Sequence, residues 1–572
     1  MSMVDIVISL ARVVLPKIAG YSNARSGTFA SSGVRAMAGI SRRGFVKVAG
    51  AGAAMAAAGW QIPAWAQGAT APRKGGVLTA TIGFPEPHTM FAPAGGGGSP
   101  AFTAARVLET LVRIAPDLSV SPHLATAWAI DPDHQRYRIT LRQGVKWHDG
   151  KDFTAADVAF TIGEYWKQIA AGGALTALKR AYASSEQEVT VEFDKPVPEF
   201  TFLYALGTLN VIPAHIYGKG DLNTNPANNA PVGTGPYRFQ RWVRGSRAEF
   251  ERNAHYWQPS LPNPDRLVVR WWREPSARAA ALEAGELDIG VQNPVPFADI
   301  KRLRDSGKFL VSDKNYEISD WDATLIFNVK HPITQHRAVR QAILHTLDPK
   351  YIADVIYQGF ATPARSIIGS HNSLYYNPDV PQYPFDKARA EKLLDEAGFP
   401  RKEGRKRFAV RLVAAGWVDE NGKLGAYIRQ ALQDVGVDVE LRVPDRAGSL
   451  KAIYTDYDFD LAITNAGSTA EPVPGTTQLF TSEGIARGLA FRNASQWSDP
   501  KFDALVDKIT FEIDAAKRKQ LIHDYAVFAA TEATNVRLVE VKQITVARSV
   551  VQGLPNVADI KRDSWDSIWL SA

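Results

Sequence analysis

The alternation of short apolar runs with helical stretches near the middle of the second half constrains the fold of this chain most. Val410 to Val413, Val437 to Val443 and Phe459 to Ile463 are strand-length apolar runs, and Gly425 to Val435 between the first two has helical spacing. Such βα alternation suits an α/β lobe, in which helices cover a sheet. A similar set of elements occurs earlier. Gly75-Gly-Val-Leu-Thr-Ala-Thr-Ile82 opens with a short strand, Leu267 to Trp272 is a strong strand, Ala277 to Ala284 is a helix stopped by Gly285, and Leu287 to Gly290 begins another strand. Ala323 to Asn328 then has the pattern of a buried strand. With 572 residues the chain is long enough for two or three domains with substantial cores.

Local signals place the remaining motifs. Tyr137 to Leu141 alternates apolar and polar residues as a half-buried strand does, and Trp147-His-Asp-Gly150 is a turn. Ala101 to Leu111 is helical in pattern. Thr154 with Asp157 three residues on forms a capping-box-like pair, so Trp147, His148, Asp149 and Asp157 belong to a turn and a cap rather than to a catalytic cluster. Asp348-Pro349 and Asp499-Pro500 each place an N-cap ahead of a proline at the first helical position, and Asp386 caps a helix that stops at Gly398.

The formal net charge of +7 invites a nucleic-acid reading, but six of those seven charges lie in residues 1–66. The remainder is almost neutral and offers no electrostatic footprint for DNA or RNA. The basic segment reads as an export signal. Ser41-Arg-Arg-Gly-Phe-Val-Lys47 fits the twin-arginine pattern, Val48 to Trp60 is weakly apolar, and Ala64-Trp65-Ala66 supplies small residues for cleavage. A mature chain starting near Gln67 and located in the periplasm is the expectation, with translation starting at either Met1 or Met37. No later segment has about 18 unbroken apolar residues. There are no cysteines, which excludes disulfides, thiolate metal sites and a cysteine nucleophile.

No catalytic signature is present: the sequence has no His-Glu-x-x-His, no Gly-x-Ser-x-Gly and no Walker loop. His331 and His336 are five apart with Pro332 between them, which does not stack them on one helical face. The expectation is therefore no enzyme, no metal site and no cofactor.

A spaced series of motifs runs through most of the chain. Leu141-Arg-Gln-Gly-Val-Lys-Trp-His-Asp-Gly150, Phe153-Thr-Ala-Ala-Asp-Val158, Val232-Gly-Thr-Gly-Pro-Tyr-Arg-Phe239 and Arg252-Asn-Ala-His-Tyr-Trp257 come first. Phe327-Asn-Val, Arg337-Ala-Val-Arg-Gln-Ala342, Leu347-Asp-Pro349 and Asp386-Lys-Ala-Arg-Ala-Glu-Lys-Leu-Leu394 follow. In order and spacing they resemble the large extracytoplasmic solute-binding proteins of the peptide, opine and nickel class, solute-binding protein family 5, which deliver ligands to ABC importers. The resemblance implies a bilobal α/β periplasmic-binding-protein fold, class II-like, with an extra subdomain in the first lobe and a hinge of two crossing segments. It implies a leader over 1–66, a first lobe over 67–318 with a subdomain at about 111–230, a second lobe over 319–536, and a return over 537–572. Partners would be a small-molecule solute and ABC permease subunits in the inner membrane, with the protein a monomer.

The resemblance also implies where ligand would sit. Pro87, Thr89 and Phe91 lie in an early loop that faces the cleft in this family; the Gly95 to Gly98 run beside them is equally a solvated loop. Peptide binders of the family hold the ligand ammonium with an Asp shortly before a Glu-Pro or Asp-Pro pair. Here the run is Asn465-Ala-Gly-Ser-Thr-Ala-Glu-Pro472, with Ser468 near that position and Glu471 in the pair. A hydroxyl does not neutralise a buried ammonium. The loop Ala414 to Asn421, where dipeptide binders place an Arg for the carboxylate, has none and carries Trp417 instead. Trp417 either stacks on ligand or packs between loop and helix. A small polar organic solute (an opine, a sugar conjugate or a modified amino acid) is expected, with a peptide held through its backbone as the alternative. Within the family, a chelated nickel or haem held mainly by aromatic contacts is left open as a ligand. A periplasmic enzyme exported folded with a cofactor, or an interaction or chaperone role, are rivals from other classes.

Overall fold

The computed structural model describes residues 71–92, 98–166, 173–318, 321–401, 406–467, 469–473 and 475–571. Arg42, Arg43, the Ala64 to Ala66 site, Gly95 to Gly97 and Ser468 lie outside them. From Pro72 onward the chain is one compact unit. Within it two large sheets form, and each is built around the strands read from the sequence.

In the first lobe Val77–Ile82 lies at the centre of a seven-stranded sheet, parallel to Arg266–Arg270 on one side and to Ile289–Val291 on the other. Tyr237–Val243 and Arg247–Arg252 extend it as an antiparallel hairpin, and Thr545–Arg548 and Phe309–Ser312 complete the opposite edge. A separate four-stranded antiparallel sheet, Ala125–Ile130, Arg136–Leu141, Glu188–Phe193 and Leu178–Ala183, forms the subdomain. Among the described residues the second-lobe sheet has six strands. Leu461–Ala466 lies between Phe408–Ala414, to which it is parallel, and Asp322–Phe327, to which it is antiparallel.

The chain passes between the two large sheets twice, after Phe309–Ser312 and after Asn535–Val541. The second passage falls later than the expected boundary at 537. Asn535–Val541 pairs with Asp322–Phe327 from Asn535 to Val539 and with Ala361–Pro363 from Val539 to Val541, so it stays in the second lobe until Val541, and three residues then lead to Thr545–Arg548 in the first. The helix expected over Ala101 to Leu111 also differs, since only Ser99–Ala104 is helical. The carbonyls beyond it are taken by another segment: Tyr237 N donates to Arg106 O at 3.2 Å and Gly235 N to Val107 O at 2.9 Å.

That contact explains the glycine motif. A Cβ on Gly233 would lie 1.8 Å from Val107 O, and one on Gly235 2.7 Å from the same atom, so only glycine permits the approach. The other first-lobe motifs converge on the same place. Glu109 is buried and accepts from Thr234 Oγ1 and Tyr256 OH, both at 2.8 Å, and from Trp257 Nε1. Asn253 Nδ2 donates to Gly235 O, and His148 Nε2 donates to the same carbonyl at 2.9 Å while its Nδ1 accepts from Gly233 N. Only the neutral imidazole donates at one nitrogen and accepts at the other. Burial drives His148 down to about 4, against the pull of that carbonyl.

The Trp147 to Asp157 cluster is structural, as expected. Asp157 accepts from the Thr154 amide at 3.0 Å in a capping box, from Trp147 Nε1 and from the Ala214 amide. Asp348, Asp386 and Asp499 cap helices through their carboxylates. Gly398 follows its helix at φ +89°, a left-handed position suited to glycine. In the second lobe Arg340 is buried and ties the Arg337–His345 helix to the carbonyls of Thr334, Gln335 and Glu532. No described helix is long and apolar enough to cross a membrane.

Candidate functional site

Parallel strands place their connecting loops at their carboxyl ends, where open α/β sheets bind ligands. In the first lobe the loop after Val77–Ile82 leaves at Gly83, whose amide donates to Val291 O at 3.0 Å. In the second lobe Trp417 follows Phe408–Ala414 by three residues and Asn465 lies at the end of Leu461–Ala466. Asp322 pairs with Ala466, so Trp321 emerges beside the same edge.

Aromatic rings link these ends. Phe84 of the first lobe meets Trp321 edge-on at 6.0 Å between centroids, Trp321 meets Phe491 at 5.6 Å, and Phe491 meets Trp417 at 5.9 Å. All four rings are half-buried, which leaves part of each surface accessible. Phe491 has φ +60°, a strained conformation for a bulky residue that its surroundings must enforce. Tyr454, at 5.7 Å, backs it from the second-lobe core. The Arg446 guanidinium stands 6.0 Å over the Trp417 ring. Trp321 Nε1 is buried with no hydrogen-bond partner among the described residues.

Trp417 is oriented by its own lobe. Its Nε1 donates to Asn465 Oδ1 at 3.0 Å, and Asn421 Nδ2 donates to the same oxygen at 2.9 Å and to Ala415 O. Asn465 and Asn421 are buried beneath the ring. Asn465 thus positions Trp417 and does not itself face the cleft.

Three other expected site residues turn away from it. Phe91 is 3% exposed, lies edge-on to Tyr165 and Tyr217 at about 6 Å, and belongs to the first-lobe core. Its apolar ring gains more from that core than a cleft wall offers. Pro87 is buried as well, while Thr89 is half-buried. Glu86 anchors the loop by accepting from Trp242 Nε1 at 2.7 Å and from the Gly245 amide. Glu471 is 2% exposed: Oε1 accepts from Arg518 Nη2 at 2.6 Å and from the Val473 amide, and Oε2 from Thr201 Oγ1 at 2.8 Å. Its charge is matched inside the protein, so it is not an anchor for a ligand cation. Ser468 lies outside the described residues.

The sequence reading missed Phe84, Trp321 and Phe491. Trp321 could have been found as a tryptophan at a lobe crossing; Phe491 has no local signal. Among the described residues no group of three or more His, Asp or Glu side chains is placed to hold a metal ion. A cavity of about 40 Å³ with mixed polar and apolar walls, among them Glu109, Arg113, His123, Asp559 and Asp563, admits water but is too small for an organic solute.

Two lobes joined by two crossings, with aromatic side chains gathered at facing strand ends, define a solute-binding protein that captures ligand between lobes. The family model for bacterial extracellular solute-binding proteins, family 5 (middle), matches residues 119–487, and the chain belongs to that family. It is 28% identical over 429 residues to the glutathione-binding protein GsiB of Salmonella paratyphi A, covering 69% of this chain and 78% of that one. It is 26% identical over 459 residues to the probable di/tripeptide-binding protein 5 of Pseudomonas aeruginosa, covering 76% and 84%. The fold matches the oligopeptide-binding protein AppA of Bacillus subtilis, solved with a nonapeptide, with a TM-score of 0.76 at 21% identity over 88% of this chain and 100% of that one. It also matches AgaA, solved with agropinic acid, with a TM-score of 0.72 at 23% identity over 87% and 99%. The chain is the substrate-binding component of an ABC import system.

Proposed function

We propose that this protein captures a small polar organic solute that presents a flat face to the rings of Trp321, Phe491 and Trp417, and delivers it to inner-membrane permease subunits. The observation that carries this reading is the half-buried ring belt spanning both lobes. Trp321 Nε1 supplies a donor and Arg446 a positive charge at its edge. The Glu471 carboxylate is engaged by Arg518, which disfavours a free ligand ammonium at that loop. Opines, sugar conjugates and modified amino acids combine a flat or apolar face with acceptor oxygens. Proteins similar in fold are solved with agropinic and mannopinic acid.

A peptide held through its backbone is the second reading, favoured by the relatives named for glutathione and for di- and tripeptides. Native mass spectrometry of freshly purified protein identifies any retained solute, and calorimetry against glutathione, a dipeptide set and agropinic acid separates the readings. Submicromolar dipeptide binding, roughly 8 kcal/mol or more, would overturn the first.

The function we infer is capture without turnover, as a monomer, with no cofactor, no metal and no nucleic-acid partner; a ligand released chemically unchanged checks it. Export through the twin-arginine route to the periplasm, with cleavage before Gln67, rests on Arg42-Arg43 and Ala64-Trp65-Ala66. Replacing both arginines by lysine should leave precursor in the cytoplasm. Unimpaired export of that double variant would remove the route.

A further inference from the structure

The helix Glu199–Thr208 of the first lobe is apolar around most of its circumference, the pattern of a helix buried on more than one side. Phe202, Leu203 and Leu206 enter the first-lobe core. Phe200, Thr201 and Tyr204 occupy a different face, and they meet the second lobe. Phe200 and Tyr204 pack in a small cluster with Ile114 of the first lobe and with Ala470 and Leu374 of the second, and Phe200 lies 6.4 Å from the Tyr375 ring.

At the centre of this contact Thr201 Oγ1 donates to Glu471 Oε2 at 2.8 Å. The acceptor is rigidly held: Arg518 Nη2 donates to Glu471 Oε1, Arg518 Nη1 donates to Tyr375 OH at 2.7 Å, and Asn372 Nδ2 donates to Ala470 O at 3.1 Å. Thr201, Glu471 and Arg518 are all buried. A hydroxyl bound to a buried carboxylate is a charge-assisted bond, stronger than a neutral one. Thr201 belongs to one lobe and Glu471 to the other, so parting the lobes here breaks that bond and exposes Ala470 and Phe200.

We propose that Thr201, with Phe200 and Tyr204, is a latch that sets the ratio of closed to open protein in the absence of ligand. Thr201 is thereby a positioning residue for solute binding that touches no solute. The apparent dissociation constant is the intrinsic one divided by the fraction of binding-competent protein, so the latch scales the affinity for every ligand by one factor. This rests on capture between lobes but on no particular ligand.

The absence of cysteine in the chain permits a direct test. Asp133 in the subdomain and Glu396 in the second lobe are exposed, and D133C with E396C in the full chain accept a pair of spin labels. Inter-label distances are then measured without ligand. Thr201→Val keeps the side-chain shape and removes the donor; it is expected to lower the closed-to-open ratio about tenfold. Thr201→Ser restores the donor and is expected to return the ratio to that of the parent. Phe200→Ala leaves the ion pair intact and is expected to shift the ratio in the same direction as Thr201→Val, which keeps the proposal testable should Thr201→Val not fold. A Thr201→Val distribution superposable on the parent, a Thr201→Ser variant that does not recover, or an unshifted Phe200→Ala would overturn the latch. Because no ligand enters the measurement, such a failure leaves the proposed ligand class standing.

Discussion

The loop after Val77–Ile82 in the first lobe and the loop after Leu461–Ala466 in the second occupy the same topological place, yet different forces hold them. The first is held by apolar burial at Phe91 and Met90, with the Glu86 carboxylate tying its start to Trp242 and the Gly245 amide through hydrogen bonds and, among the described residues, no ion pair. The second is held by charge: Glu471 bonds to Arg518 within the lobe and accepts from Thr201 across the lobes. Loops at equivalent strand ends therefore respond differently to substitution. In both, the residues that look most like ligand contacts in sequence are the ones the protein uses to fix the loop, and the accessible rings stand beside them.

The largest effect should come from the charged loop. Arg518→Ala strands the Glu471 carboxylate and should destabilise by about 3 to 5 kcal/mol in chemical denaturation. Replacing Arg518 and Glu471 together by apolar residues of similar size should cost much less, because no charge is then left unpaired. Equal losses in the single and double variants would show that the loop is held by packing, as in the first lobe.

On the apolar side, Phe91→Ala should cost about 3 kcal/mol of folding stability, and Phe91→Leu less than about 1.5. Neither loss should depend on salt. A Phe91→Ala variant of parental stability that loses ligand instead would return Phe91 to the cleft.

Acid sharpens the contrast between lobes. His148, in the first lobe, titrates near 4 when folded and near 6.5 when unfolded. Between those values the unfolded chain binds the extra proton, so stability rises with pH in that window and falls as pH drops from about 6.5 to 4. The loss attributable to this one group is up to about 3 kcal/mol. His148→Gln should remove that part of the pH dependence, read as a flatter profile of melting temperature between pH 6.5 and 4. An unchanged slope would place the acid sensitivity elsewhere.

The smallest stability effect should belong to the ring belt. Trp417 is half-buried, so Trp417→Ala should cost about 1 to 2 kcal/mol of stability while lowering affinity for the retained solute by a few kcal/mol. Trp417→Phe, which keeps a ring and loses the bond to Asn465, should cost about 1 kcal/mol in stability. A fall of several kcal/mol in stability with unchanged affinity would make Trp417 a packing residue.

Much of the architecture follows from the chain alone. Strand runs at Val77, Leu267, Ala323, Val410 and Leu461, helix caps at Thr154, Asp348, Asp386 and Asp499, and the stop at Gly285 depend on neighbours within a few residues, so sequence determines them. The spaced motifs were equally legible, because they carry the close approach of Gly233 to Val107 and the convergence of Thr234, Tyr256 and Trp257 on Glu109. Only the tertiary structure decided the rest. Whether Phe91 faced cleft or core, whether Glu471 was free or paired, and whether Phe84, Trp321, Phe491 and Trp417 formed one belt all depend on residues brought together from distant segments. Glu471 shows the reason most plainly. Its neutralising partner is 47 residues away and its hydroxyl donor 270, and a buried charge takes its role from what the fold sets within about 3 Å of it.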